Sequence, residues 1–137
     1  MSARKTCLIV DDSEVIREIA VRIMTDLGLD ATQVENAGDA VAHCRAEKPD
    51  AVFLDWDLPS MGALDFLRGL AEVPAEERPV IILSATENDP QQFTLAKAAG
   101  AAHHVLKPFD KFVIAAKLRE AGLIEGEDGA LLDAAGQ

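Results

Sequence analysis

Residues 51–55 read Ala-Val-Phe-Leu-Asp, four apolar residues that end in a carboxylate. Residues 7–12 read Cys-Leu-Ile-Val-Asp-Asp and show the same arrangement. A short apolar run is typical of a strand buried on both faces of a parallel sheet, where functional groups gather at the carboxyl ends of the strands. If the two strands are neighbours, Asp11, Asp12 and Asp55 share one crevice. Three carboxylates that close repel one another, and a hard divalent cation bound between them relieves the repulsion.

The chain as a whole alternates between strand-like and helix-like segments. Apolar runs predict strands at 6–10, 51–54, 80–83 and 103–106, and a weaker run predicts one at 31–35. Segments with helical periodicity lie between these runs and after the last of them. Five strands, each followed by a helix, predict an α/β fold, namely a (βα)5 doubly wound parallel five-stranded sheet in a three-layer sandwich.

Helix ends carry their own signals. Ser13 is a candidate N-cap of the first helix, and Gly28 is a candidate stop. Asp89-Pro90 predicts the start of the fourth helix, because Asp suits the N-cap and Pro the first helical position. Asp110 is a candidate N-cap of the fifth helix.

Length and composition predict one folded domain with a short extension. The chain has 137 residues, of which 49% are apolar, enough to bury one core. We expect the folded domain to cover 1–122 and an acidic, Gly-containing tail to cover 123–137. The polar composition of the tail predicts mobility, with one helical turn at 130–135.

The net charge and the cysteines of the chain indicate which kinds of partner it binds and in which cellular compartment it is found. The formal net charge is -11, without a run of Lys or Arg, which predicts no binding to nucleic acid or an anionic membrane and favours a basic protein partner. We expect no membrane insertion, because no stretch is long enough to span a bilayer and the N-terminus is too short for a secretion signal. Cys7 and Cys44 are predicted core residues. These observations favour a cytoplasmic protein.

Two later strands end in different functional groups. Ser84 ends the run at 80–83, and Lys107 follows the run at 103–106. Taken singly, a strand-end Asp can be a helix cap, Ser a turn residue and Lys-Pro a loop. Together, a nucleophilic carboxylate such as Asp55, a metal, an ammonium and a hydroxyl are what a phosphoryl-transfer site requires.

These residues lie in motifs that resemble the receiver domain of two-component response regulators, the family of the chemotaxis protein CheY. The resemblance covers about residues 5–122, and its motifs occur in the family's order and spacing: Val10-Asp11-Asp12-Ser13, Leu54-Asp55-Trp56-Asp57-Leu58-Pro59, Leu83-Ser84-Ala85 and Lys107-Pro108-Phe109. It implies the flavodoxin/CheY-like strand order 2-1-3-4-5. It also implies a signalling protein rather than an enzyme.

The resemblance assigns a role to each acid. It implies that Asp55 is the phosphoacceptor, which receives a phosphoryl group from a histidine kinase or a histidine phosphotransfer protein. It also implies that the carboxylates of Asp12 and Asp55 and the main-chain carbonyl of Asp57 bind Mg2+. Asp11 would act largely through metal-bound water.

The remaining site residues are assigned in the same way. Ser84 would rotate to contact the phosphoryl group, and Lys107 would pair with it. The peptide bond between Lys107 and Pro108 would be cis. The output would leave through a face formed by residues 89–120 that contacts a downstream protein. Trp56 and the C-terminal helix are similar to those of chemotaxis-type single-domain receivers, so the resemblance implies a stand-alone regulator in chemotaxis or motility.

Three positions depart from the family pattern. The family's Gly in the loop after the phosphoacceptor stands one place early, at Gly62, so the loop geometry is expected to differ. His104 replaces an aromatic residue that turns inward on activation, and as a switch it would be sensitive to pH near neutrality. The alternative is that His104 is a surface strand residue. Asp57 is expected to add a fourth carboxylate beside the metal.

Two other classes of function fit part of the pattern. Asp55-Trp56-Asp57 is the Asp-x-Asp arrangement of haloacid-dehalogenase-type phosphohydrolases, but that family places its second acid pair last and adds a substrate-capping insertion. A receiver-like module that binds a cyclic dinucleotide is the second alternative. It would require an arginine cluster, whereas the arginines of this chain are scattered.

Overall fold

The computed structural model describes residues 4–125. Five strands and five α-helices alternate along this part of the chain, which confirms the predicted (βα)5 order. Two short 3-10 helices lie at Pro59–Met61 and Ala75–Glu77. The elements are β1 (Thr6–Val10), α1 (Glu14–Asp26), β2 (Asp30–Val34), α2 (Ala37–Glu47), β3 (Ala51–Asp55), α3 (Gly62–Leu70), β4 (Val80–Ala85), α4 (Pro90–Ala98), β5 (His103–Leu106) and α5 (Lys111–Glu120).

The strands form one parallel sheet in the order β2-β1-β3-β4-β5, as the resemblance implies. Side chains alternate between the two faces of a strand, so each face builds its own core. In β1, Leu8 and Val10 join a cluster with α2, α3 and α4. Cys7 and Ile9 join a second cluster with α1 and α5. The sheet therefore lies between two helical layers, and the predicted three-layer sandwich is confirmed.

The weak strand signal at 31–35 has a structural cause. β2 is an edge strand, and none of its five residues is buried. An edge strand needs no continuous apolar run, because only one of its two sides has a neighbour. The central strand β3, by contrast, is buried at every position.

The predicted N-caps are confirmed. The side chains of Ser13, Asp89 and Asp110 accept hydrogen bonds from main-chain N–H groups in the first turns of α1, α4 and α5. Replacing such a cap by Ala typically costs about 1 kcal/mol of stability. These caps fix where each helix leaves the carboxyl edge of the sheet, and so place that edge's loops.

The first two residues after the predicted domain 1–122 contact the core. Leu123 is 7% exposed and belongs to the core cluster with α1 and α5, and Ile124 packs against it. Gly122 makes the turn with a φ of +77°. Residues 126–137 of the predicted tail, including the helical turn at 130–135, lie outside the described residues.

The loop between β3 and α3 departs from a Gly-based turn, as the shifted Gly predicts. Ser60 and Met61 have φ values of 57° and 59°, in the left-handed region that favours Gly. Gly62 has an ordinary φ of -56°. A Cβ there would lie 3.2 Å from Leu58 Cβ, a tight contact, so Gly62 favours close packing in this loop and does not supply a left-handed backbone.

Cys7 and Cys44 are buried free thiols, as predicted. Within residues 4–125, the helices are all too short or too polar to cross a membrane.

We predict that Gly69→Ala destabilises the protein through contact between α2 and α3. A Cβ at Gly69 would lie 2.8 Å from Val41 Cγ2, and overpacking of this kind typically costs about 1–3 kcal/mol. Adding Val41→Ala should recover part of the loss, because it removes the clashing methyl group. Urea unfolding of the two single variants and the double variant measures this coupling.

Gly38→Ala is the matched control, since its Cβ would make an ordinary contact of 3.5 Å with Asn36. Strict additivity of Gly69→Ala and Val41→Ala would contradict the proposed clash.

Candidate functional site

Two acids lie side by side at the carboxyl edge of the sheet. Asp55 is the last residue of β3, and Asp11 directly follows β1. The pairing of Val10 with Leu54 brings the next residues of both strands, Asp11 and Asp55, to the same edge. Both acids are 2% exposed, whereas Asp12 is exposed. The predicted meeting of the two strand ends is therefore present.

Lys107 brings a positive charge between the two buried acids. Its Nζ lies 3.0 Å from Asp55 Oδ1 and 3.1 Å from Asp11 Oδ2. The Lys107 N–H donates to the Ala85 carbonyl at 2.8 Å, which continues the pairing of β4 and β5 and fixes where the lysine side chain starts. The peptide bond from Lys107 to Pro108 is cis, the isomer that the resemblance implies.

Burial and neighbouring charges shift the pKa values of Asp55 and Lys107. Burial raises the pKa of Asp55 to about 6, although hydrogen bonds from the Asp57 N–H and the Lys107 ammonium oppose the increase and the charge of Asp11 adds to it. Burial would lower the pKa of Lys107, but hydrogen bonds to Asp55 and Asp11 outweigh it and raise that pKa. The Lys107 ammonium therefore stays charged, while burial keeps most water away from the carboxylates of Asp11 and Asp55.

The acids at this edge form a donor set suited to a hard cation. Asp11, Asp12 and Asp55 each offer a carboxylate oxygen, and these atoms lie within 4.8 Å of one another. Lys107 supplies one positive charge against three negative ones, so an excess of negative charge is left. Oxygen-only ligands and excess negative charge are what Mg2+ and Ca2+ require.

Ser84 lies beside Asp55 in the sheet. The two residues are paired in the register of β3 and β4, and Ser84 is buried. The Ser84 carbonyl accepts a hydrogen bond of 2.8 Å from the Trp56 N–H, which ties the residue after Asp55 to β4. The predicted acid and hydroxyl thus lie at the carboxyl ends of β3 and β4, and the ammonium belongs to the residue that directly follows β5.

Asp57 does not add its carboxylate to the cluster, contrary to the expectation from sequence. Its Oδ2 accepts hydrogen bonds of 3.1 Å from both the N–H and the hydroxyl of Thr86. Its own N–H donates to Asp55 Oδ1 at 2.9 Å. The pairing of Asp55 with Ser84 is the last of the β3–β4 ladder, and Asp57 and Thr86 each stand two residues beyond it, in the loops that follow the two strands. Asp57 thus joins the loops after β3 and β4.

Thr86 and Gln92 were missed by sequence reasoning. The Trp56 indole N–H donates to the Gln92 side-chain oxygen on α4, a second link from the loop after β3. The pairing of Asp55 with Ser84 could have indicated Thr86, because it stands two residues after Ser84 as Asp57 stands two after Asp55. Nothing in the sequence marks Gln92.

His104 is held by an aromatic stack. Its ring lies over that of Phe93 on α4, with centroids 3.9 Å apart and planes 21° apart. Burial lowers the pKa of His104, Lys117 on α5 lowers it further, and Glu120 on α5 opposes the decrease. Neither the stack nor its partner was predicted from the sequence.

The fold and this site define a doubly wound α/β domain with an acidic cluster and a lysine at the carboxyl edge of its sheet, and comparison with known proteins identifies its class. Residues 7–119 match the model of the response regulator receiver domain. The chain belongs to this family and is a CheY-like receiver domain of a two-component response regulator. The resemblance inferred from the four motifs is confirmed.

Chemotaxis proteins are among the similar sequences. The chain is 32% identical over 113 residues to chemotaxis protein CheY-3 of Vibrio cholerae, covering 81% of this chain and 86% of that protein. It is 31% identical over 129 residues to a CheY homolog of Campylobacter jejuni, covering 90% and 97%. Other relatives are longer: the chain spans 50% of the phosphate regulon regulator PhoB of Pseudomonas aeruginosa and 16% of the sensor kinase/phosphatase CqsS of Vibrio cholerae.

Solved structures share the fold. Chemotaxis response regulator CheY4 of Vibrio cholerae superposes with a TM-score of 0.79 at 24% identity, covering 86% of this chain and 98% of that one. A CheY-like receiver domain from Methanospirillum hungatei gives 0.77 at 22% identity, covering 87% and 94%. At these identities the likeness shows the fold alone.

We predict that Phe93→Ala raises the pKa of His104 toward its ordinary value, because the stacked ring contributes to the burial that lowers it. The pH titration of the imidazole Cε1–H signal by NMR measures the change. Phe112→Ala removes another Phe, one that is largely exposed on α5, and serves as the control. An identical titration curve for Phe93→Ala and the wild-type protein would contradict the effect of the stack.

Proposed function

We propose that this receiver accepts a phosphoryl group on Asp55 from a phosphohistidine of a histidine kinase or histidine phosphotransfer protein. The observation that supports it most directly is the contact of the Lys107 ammonium with Asp55 at 3.0 Å, beside the three-carboxylate cluster. A nucleophilic carboxylate next to a fixed positive charge can attack phosphorus while the incoming negative charge is neutralised.

Phosphoryl transfer to Asp55 forms one bond and breaks one bond. An Asp55 carboxylate oxygen forms a bond to phosphorus, the P–N bond to the donor imidazole breaks, and the imidazole nitrogen keeps the electron pair and takes up a proton. The product is an acyl phosphate on Asp55. The Lys107 ammonium lies where it can pair with a phosphoryl oxygen, and the Ser84 hydroxyl is the group proposed to donate to another.

Mg2+ is the proposed cofactor. The carboxylates of Asp11, Asp12 and Asp55 and the main-chain carbonyl of Asp57 would hold it, with Asp11 acting largely through metal-bound water. When bound, the cation neutralises negative charge on the phosphoryl oxygens. The fit rests on the oxygen-only donor set and its excess negative charge.

The signal is proposed to leave through the face formed by residues 89–120, by contact with a downstream protein. Leu106 on β5 and Val113 on α5 are exposed apolar residues of this face. His104, which belongs to β5 and stacks on Phe93 of α4, is the proposed switch residue, together with Ser84. A rotation of His104 away from Phe93 after modification of Asp55 would alter the face. The names of the Vibrio and Campylobacter relatives favour a role in chemotaxis.

The two alternatives have weaker support. A haloacid-dehalogenase-type reaction would need the Asp57 carboxylate as an acid and base, but Thr86 engages that carboxylate, and the chain belongs to another family. For a cyclic dinucleotide, a cluster of free arginines would be required. Arg17 instead contacts Gln33 and the Asp11 carbonyl, while Arg45 pairs with Glu72 elsewhere.

Acetyl phosphate with Mg2+ is expected to add one phosphoryl group at Asp55. Intact-mass spectrometry counts the group, and loss on treatment with hydroxylamine identifies an acyl phosphate. Asp55→Asn should accept none, because an amide is not a nucleophile toward phosphorus. Asp57→Asn is the matched control and should still be modified. Modification of Asp55→Asn to the wild-type extent would contradict the assignment.

Mg2+ is expected to stabilise the protein through the acid cluster. At a free concentration of 100 times Kd, binding to the folded state alone raises the free energy of unfolding by about 2.7 kcal/mol. Asp12→Asn should lose most of this gain, because it removes one charged oxygen ligand. Thermal unfolding across a Mg2+ titration measures the difference. Asp65→Asn, an exposed acid on α3, should behave as the wild type does, and an equal loss in both variants would contradict a local site.

A further inference from the structure

A cavity of about 290 Å3 opens beside the phosphoacceptor, between the loop after β3 and helix α4. Most of its lining is apolar. The polar lining residues are Trp56 and Gln92, and the Trp56 indole N–H donates a hydrogen bond to the Gln92 side-chain oxygen. Its lining includes Trp56, Leu58, Met61, Leu64, Gln92 and Leu95. This volume is at the low end of ligand pockets, so it suits one or two apolar side chains better than a cofactor.

Within α4, the residues that line the cavity are not the one that stacks on β5. Gln92 and Leu95 are three residues apart and so lie on the same side of the helix, toward the loop after β3. Phe93 is turned by about 100° from Gln92 and stacks on His104 of β5. The two flanks of α4 therefore present separate surfaces.

The rim of the cavity exposes large apolar side chains. Met61 is 66% exposed and Leu95 is 51% exposed. Met61 reaches this position from a backbone with φ values of 57° and 59° at Ser60 and itself, a conformation that is unfavourable for residues other than Gly. Strained backbone persists where the surroundings over-determine it and clusters at binding sites. An exposed Met is also adaptable to the shape of an apolar partner.

Several acidic residues stand close in sequence to the residues that line the cavity. Asp57 and Glu87 are exposed in the loops after β3 and β4, and Asp65 is exposed directly after Leu64 on α3. Asp89 caps α4 three residues before Gln92. The chain as a whole carries a formal net charge of -11. An apolar pocket with an acidic rim is complementary to an apolar anchor flanked by basic residues.

We propose that this cavity, formed by Trp56, Met61, Gln92 and Leu95 with their neighbours, is a second docking surface, whose occupant is a basic amphipathic helix of a partner protein. One bulky apolar residue of that helix enters the cavity, and Lys or Arg residues one turn away face the acidic rim. This is the helix-in-groove mode of peptide recognition.

The test uses a 14-residue helical peptide of Leu and Lys, without Trp, titrated into the full chain. Trp56 is the chain's single Trp and lines the cavity, so its emission reports occupancy. Leu95→Ser and Met61→Ser should each raise Kd by about tenfold, since each removes apolar area at the rim. Both residues are exposed, so both variants should fold, which far-UV circular dichroism checks.

Phe112→Ser is the matched control. Phe112 is 59% exposed, close to Leu95 and Met61 in exposure, but lies on α5. Its Kd should equal that of the wild type. A peptide with Glu in place of every Lys should not bind, and amide chemical shifts should change around residues 56–64 and 92–95.

Three results would overturn the proposal: no response of Trp56 to the Lys peptide, an equal loss of affinity in Phe112→Ser, or shifts centred on residues 103–106. The acetyl phosphate reaction on Leu95→Ser distinguishes failure of this proposal from failure of the proposed function. If Asp55 is modified normally in Leu95→Ser and this variant binds the peptide as tightly as the wild type does, the docking surface is rejected and the phosphoacceptor assignment stands.

Discussion

The contact of one ammonium with two buried carboxylates is the interaction on which the site depends. Asp11 and Asp55 are brought together by the pairing of β1 with β3, and without a cation they would repel each other inside the protein. Lys107 Nζ lies 3.1 Å from the first and 3.0 Å from the second. Removing one partner of a buried ion pair typically costs about 3–5 kcal/mol. The two buried carboxylates at this edge of the sheet are therefore stabilised by the lysine that follows β5.

Sequence reasoning reached these three residues because each follows an apolar run and parallel strands bring such positions to one edge. It required only periodicity and topology. It did not reach the partners of neighbouring side chains, because those depend on loop conformation and side-chain rotamers. Thr86, which engages the Asp57 carboxylate, could be found only with the register of β3 and β4, and Gln92 only with the placement of α4.

Helix α4 is contacted by the loop after β3 and by strand β5. Gln92 on one flank accepts a hydrogen bond from Trp56, next to the phosphoacceptor, and Phe93 on the other flank stacks on His104 of β5. Asp57 adds a link to the loop that leads into α4. A change of charge on Asp55, at the end of β3, would therefore act next to residues that contact α4 and the loop before it. This arrangement explains how one helix can serve both a proposed output face and a separate apolar cavity.

A crystal structure of the protein with Mg2+ and beryllofluoride tests the central claim most directly. The account predicts a cation bound by the cluster of Asp11, Asp12 and Asp55, beryllofluoride bonded to an Asp55 carboxylate oxygen, and the Lys107 ammonium in contact with a fluoride. A cation bound away from this cluster, or beryllofluoride on Asp57 instead of Asp55, would contradict it.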